Sequence, residues 1–118
     1  MDEQKFYYRN WAGRLLGNKA REQLVLDELK SIQANDFFLE VGCAQGHFER
    51  HALKYCGNVF GADFSLEKLR AASNNAKNSF FVAMDAEMLP FKKGSFDFVL
   101  CTEVLEHVPK WKKALLEL

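Results

Sequence analysis

Apolar residues fall in short continuous runs separated by stretches with three-and-four spacing, and the two patterns alternate along the chain. The runs over residues 37–41, 59–63, 80–84 and 96–101 are apolar at successive positions, as strands buried on both faces are. Between them, Val25, Leu29 and Ile32 repeat at four and three, with Arg21, Glu22, Asp27 and Lys30 outside, which predicts a helix from about Asn18 to Ile32. A second helix runs from His47 to Cys56 with Phe48, Ala52 and Cys56 on one face, and Gly57-Asn58 ends it. Ser65 is placed to cap a third, through Leu66, Leu69, Ser73 and Ala76, whose end Asn74, Asn75 and Asn78 weaken. Pro109 suits the first turn of a last helix carrying Trp111, Leu115 and Leu118. Residues 1–17, with Tyr7, Tyr8 and Trp11, read as a short helix or a flap. Strands alternating with helices indicate an α/β fold built on a parallel sheet, with right-handed crossovers placing helices on its faces. One domain spans 1–118, its first 35 residues forming an N-terminal helical region; no repeat or linker interrupts it.

Composition narrows the function classes. Of the 118 residues, 48% are apolar and eleven are Phe, which excludes a disordered chain. Sixteen basic residues balance sixteen acidic ones, so no global field recruits nucleic acid or an anionic membrane. Cys43, Cys56 and Cys101 are too widely spaced for a zinc-binding pair and read as reduced, buried thiols. With Asp2, Glu3 and Lys5 at the start and no long apolar run, the expectation is a cytoplasmic protein with no membrane partner.

The chemistry gathers at the strand ends. Glu40 lies at the end of the first predicted strand, and Gly42 and Gly46 stand in the turn that follows. Glycines there let a ligand approach the backbone, although glycines after strands are also plain turn formers. The spacing is Glu-x-Gly-x-x-x-Gly and not the GxGxxG of dinucleotide sites. Asp63 closes the second strand, where a carboxylate can accept both hydroxyls of a ribose. Asp85 closes the third. Three acids at one sheet edge are costly without a donor-rich, positively charged ligand, unless each merely caps the helix after it. His47 and His51 stand four apart, but Glu49 falls one position too late for the zincin pattern, so both read as surface or cap residues and no metal site is expected.

Four segments taken together resemble the class I S-adenosylmethionine-dependent methyltransferases, in particular the small-molecule type related to quinone biosynthesis. They are Leu39-Glu40-Val41-Gly42-Cys43-Ala44-Gln45-Gly46, then Gly61-Ala62-Asp63-Phe64-Ser65, then Asp85-Ala86-Glu87-Met88-Leu89-Pro90-Phe91. The last is Ser95-Phe96-Asp97-Phe98-Val99 leading into Glu103-Val104-Leu105-Glu106-His107-Val108. The resemblance implies a three-layer αβα Rossmann-like fold, of which this chain holds the first four strands in the order 3-2-1-4. It implies S-adenosylmethionine as cofactor, S-adenosylhomocysteine as product and a small-molecule methyl acceptor. Glu40 and the backbone of Gly42, Cys43, Ala44 and Gly46 would hold the methionine part. Asp63 would take the ribose, with Phe64 and Ser65 beside the adenosine. Asp85 and Ala86 would meet the adenine, and Cys101, Thr102 and Glu103 would line the floor near the sulfonium. His107 is the one general-base candidate the motif offers, if the acceptor must lose a proton. Tyr7, Tyr8 or Trp11 would close over the site, or else anchor the first helix.

Two departures accompany the resemblance. Ala44 stands where the family usually has Gly, tolerable if the backbone there is ordinary. The pattern also stops inside a helix at Leu115–Leu118, a truncation after the fourth strand. That leaves the fourth strand as an open apolar edge, with self-association through it as the expectation. The readings that compete are a cofactor-binding module without turnover, a nucleotide-dependent oxidoreductase, and a purely structural module.

Overall fold

A five-stranded, all-parallel sheet carries the chain, in the order β1-β5-β2-β3-β4. The computed structural model describes residues 5–8, 10–84 and 95–101; for residues 5–8, 10–18 and 21 it describes the course of the backbone. The elements are β1 (Lys5–Tyr8), α1 (Asn10–Leu29), β2 (Phe37–Val41), α2 (His47–Ala52), β3 (Asn58–Asp63), α3 (Leu66–Asn75), β4 (Phe80–Ala83) and β5 (Phe98–Cys101). The four strands expected from the apolar runs are all present, as β2, β3, β4 and β5. Their order across the sheet, β4-β3-β2-β5, is the expected 3-2-1-4.

The strands β2, β3 and β5 are apolar in succession because both of their faces are covered, whereas β4, at the edge of the sheet, is only partly buried. On one face Phe38, Val59, Phe98 and Leu100 meet Val25, Leu29 and Ile32 from the α1 side and Ala52 and Cys56 from the α2 side. On the other face Leu39, Val41, Ala62, Val99 and Cys101 are fully buried. A ladder of rings continues that second face: Phe60 stacks on Phe80 at 5.2 Å and on Phe37 at 6.3 Å, and meets Phe96 edge-on at 5.4 Å. The described helices lie on one face, α1 against α2 and α2 against α3. The helix expected around Pro109 falls outside the described residues.

The N-terminal segment departs from expectation. Residues 5–8 form an edge strand rather than a short helix or flap, and α1 begins at Asn10, well before Asn18. Gly13 and Gly17 weaken the helical signal over that first half, and tertiary context overrides it. β1 pairs along the whole of β5, Lys5 opposite Phe98 and Tyr8 opposite Cys101. The fourth predicted strand is therefore not an open edge, which removes the reason for expecting self-association through it. Backbone pairing from the chain's own first residues satisfies the groups that an edge would expose. Among the described residues no helix is long and apolar enough to cross a membrane.

Candidate functional site

The turn after β2 is held in place by the strand beside it. The Ala62 backbone carbonyl on β3 accepts from both Gly42 N (2.7 Å) and Cys43 N (3.1 Å), and Gly46 N donates to the Cys43 carbonyl at 3.0 Å. The loop winds through three left-handed residues, Gly42 (φ 81°), Ala44 (φ 49°) and Gly46 (φ 83°). Gly46 is also needed for packing, since a Cβ there would stand 3.1 Å from that of Ala72 on α3. Ala44 is thus not in an ordinary backbone region, and its methyl group is carried at a cost of about 1 kcal/mol.

Asp63, at the C-terminal end of β3, locks this loop to the next helix. Its Oδ2 accepts from Ala44 N at 2.8 Å and its Oδ1 from Ser65 N at 3.0 Å. Ionised carboxylates offer about four acceptor positions, so two remain for a ligand. Ser65 in turn caps α3, its hydroxyl accepting from Lys68 N at 3.2 Å. Phe64 between them is 44% exposed, an apolar surface beside the carboxylate.

Beneath the loop the acids crowd together. Glu40 on β2 and Glu49 on α2 are both buried, and Asp63 is nearly so. Neither Glu49 oxygen makes a hydrogen bond among the described residues. Burial, followed by the charge of Glu40, pushes the Glu49 carboxyl well above the usual carboxylate range. The same surroundings push the Cys43 thiol up, burial first and then Glu49, Glu40 and Asp63. Three carboxyl groups that feel one another favour a ligand bearing positive charge.

Glu49 escaped the sequence reading, which took Phe48, Ala52 and Cys56 as the buried face of the helix. The signal was available: Glu49, Ala52 and Cys56 are spaced by three and four, and all three are buried while Phe48 is only half-buried. Of the residues expected at the site, the structure brings together Glu40, Gly42, Cys43, Ala44, Gly46, Asp63, Phe64 and Ser65 around one edge of the sheet. The amides of Gly42, Cys43, Ala44 and Gly46 each donate within the protein, and these bonds fix the shape of the loop. Cys101 ends β5 opposite Val41, fully buried. Asp85, Ala86, Thr102, Glu103 and His107 lie outside the described residues. Tyr7 and Tyr8 stand in β1 opposite Leu100 and Cys101, and Trp11 is in the first turns of α1. A surface depression of about 400 Å³ lined by Ala34, Tyr55, Cys56, Gly57 and Asn78 lies at the opposite, N-terminal edge of the sheet, away from these acids.

Comparison with known proteins converges on one family. Residues 39–118 match the family described as "Methyltransferase domain". Protein MJ0638 of Methanocaldococcus jannaschii is 32% identical over 129 aligned positions, covering 100% of this chain and 55% of its own length. The ubiquinone biosynthesis O-methyltransferase of Coxiella burnetii is 35% identical over 75, covering 60% of this chain and 32% of its own. Among solved structures, the YcgJ protein of Bacillus subtilis superposes with a TM-score of 0.69 at 27% identity, over 80% of this chain and 44% of that one. The chain thus spans between about a third and just over half the length of these relatives.

Proposed function

The chain belongs to the methyltransferase domain family, and on that premise we propose that it binds S-adenosylmethionine at the β2–β3 edge and serves methyl transfer to a small-molecule acceptor. The observation that carries this reading is Asp63, a strand-end carboxylate fixed by the Ala44 and Ser65 amides with acceptor capacity to spare. A ribose diol is the ligand group that matches it. The cofactor's residues fit in charge as well: Glu40, Glu49 and Asp63 suit a ligand with a sulfonium and an ammonium group.

When bound, the sulfonium supplies an activated methyl group with a neutral thioether as leaving group. The protein's part is alignment and exclusion of water. Asp63 would hold the ribose, Phe64 would cover the adenine, and Glu40 would face the methionine ammonium. Asp85 and Ala86 are assigned to the adenine, and Thr102, Glu103 and Cys101 to the floor beneath the methyl group. His107 is assigned the proton of an acceptor that must lose one. The balanced charge of the chain and the likeness to a ubiquinone biosynthesis O-methyltransferase support a small-molecule acceptor rather than nucleic acid. Because the chain covers under two thirds of its relatives, cofactor binding without turnover is the reading to set against it.

Calorimetric titration with S-adenosylhomocysteine tests the proposal, using wild type and Asp63→Asn. Asn removes the charge and keeps only one of the two acceptors that the Ala44 and Ser65 amides use. Saturable binding that weakens at least about tenfold in the variant is expected, together with a lowered urea midpoint from the lost amide bond. Equal affinity in both, or tighter binding of NAD, refutes the assignment. A phenolic acceptor added to the binding-competent chain then separates turnover from binding alone.

A further inference from the structure

We propose that Glu22, His47 and His51 form a site for one divalent transition-metal ion, zinc by preference, which ties α1 to α2 outside the cofactor loop. One potential ligand atom from each residue lies within 4.8 Å of the other two. His47 and His51 are four apart on α2 and so share a face, and their rings are 5.0 Å apart. Glu22 reaches them from α1: its Oε1 is 2.6 Å from His47 Nε2. Two imidazoles and one carboxylate are the donor set of zinc sites that keep an open position for water.

The geometry is near what an ion needs. Ligand atoms about 2.1 Å from a tetrahedral ion lie roughly 3.4 Å from each other. The 2.6 Å pair must open by roughly 0.8 Å, and the widest separation close by up to roughly 1.4 Å. Side-chain torsions supply such movements where groups are exposed, and the His47 and Glu22 side chains are 47% and 43% exposed. An ion from solvent can therefore enter without disturbing the core.

Charge acts both ways. The Glu22 carboxylate favours a cation, while Lys54 and Arg50 oppose one. Lys54 Nζ is 3.3 Å from His51 Nδ1 and has to swing away as the ion binds. α2 begins directly after Gly46, so an ion here would brace the N-terminal helix against the element that follows the loop.

The purified chain is titrated with zinc chloride by calorimetry and with cobalt chloride by visible absorption, alongside His51→Ala, Glu22→Gln and Lys54→Ala. Binding of one ion per chain is expected, with affinity reduced at least about tenfold in His51→Ala and in Glu22→Gln. Lys54→Ala should bind more tightly than wild type. Zinc should raise the melting temperature of wild type and leave that of His51→Ala unchanged. Wild-type affinity in both ligand variants overturns the proposal. So does thiolate charge-transfer absorption from bound cobalt, which would place the ion on cysteine.

Discussion

Gly61 is where sheet packing and the cofactor loop meet, and Gly61→Ala tests whether one transmits to the other. The residue lies within β3, paired with Glu40 on β2 and Phe81 on β4. A Cβ at this position would stand 2.8 Å from Phe81 Cε1, 2.9 Å from Phe81 Cδ1 and 2.9 Å from Cys43 Sγ. Carbon contacts are most favourable near 3.5–4.0 Å, so both neighbours must retreat by roughly 0.7 Å. Phe81 is half-buried on an edge strand and can yield; Cys43 is buried in the loop and yields only if the loop moves. Overpacking of this kind costs about 1–3 kcal/mol. Replacing a glycine returns about 0.5–1 kcal/mol through the unfolded chain. The net expectation is a loss of about 1–2 kcal/mol and a melting temperature lower by roughly 5 °C or more.

Urea unfolding followed by circular dichroism measures the loss, and a cycle with Cys43→Ala apportions it. Removing the sulfur should relieve part of the strain, giving a coupling of about 0.5–1 kcal/mol. Affinity for S-adenosylhomocysteine should fall several-fold in Gly61→Ala, because the loop shifts with Cys43. A variant as stable as wild type, or a cycle additive within about 0.3 kcal/mol, refutes the reasoning.

Other outcomes follow from the same site. Glu49 takes up its proton more readily folded than unfolded, so its contribution to stability is full below its ordinary value of 4.5 and is lost as pH rises toward the raised one. His51, pulled below 6.5, contributes the opposite slope, losing stability as pH falls. Urea midpoints from pH 4 to 8 should therefore show Glu49→Gln gaining on wild type as pH rises; a constant difference sinks the idea. Ala44→Gly should stabilise the chain by about 0.5 kcal/mol, the relief of a left-handed alanine less the freedom glycine adds to the unfolded state. A clear loss of stability in that variant would mean that the methyl group packs favourably. The Asp63→Asn titration and the zinc titrations complete the set.

Much of the fold could be read from the chain because it rests on local pattern. Continuous apolar runs at 37–41, 59–63 and 96–101 marked strands buried on both faces, the run at 80–84 marked a strand that lies partly exposed at the sheet edge, and the intervening periodicity marked α2 and α3. Ser65 capped its helix as expected because capping depends on the residue and the three that follow it. Gly42, Gly46 and Asp63 were visible as candidate site residues because strand-end chemistry lies within a few positions of the run that positions it.

What the sequence left open depends on partners distant along the chain. Lys5–Tyr8 became a strand only because β5 offered it an unpaired edge, a contact no local window contains. Glu49 looked like one polar residue of an amphipathic helix until packing set it beneath Glu40. The left-handed backbone of Ala44 follows from the loop's bonds to Ala62 and Asp63 on the next strand. Glu22 became a neighbour of His47 only when α1 folded against α2. Residue type and spacing determined the elements and their chemistry, because those are short-range properties; which acids, rings and amides face one another was decided by tertiary packing alone.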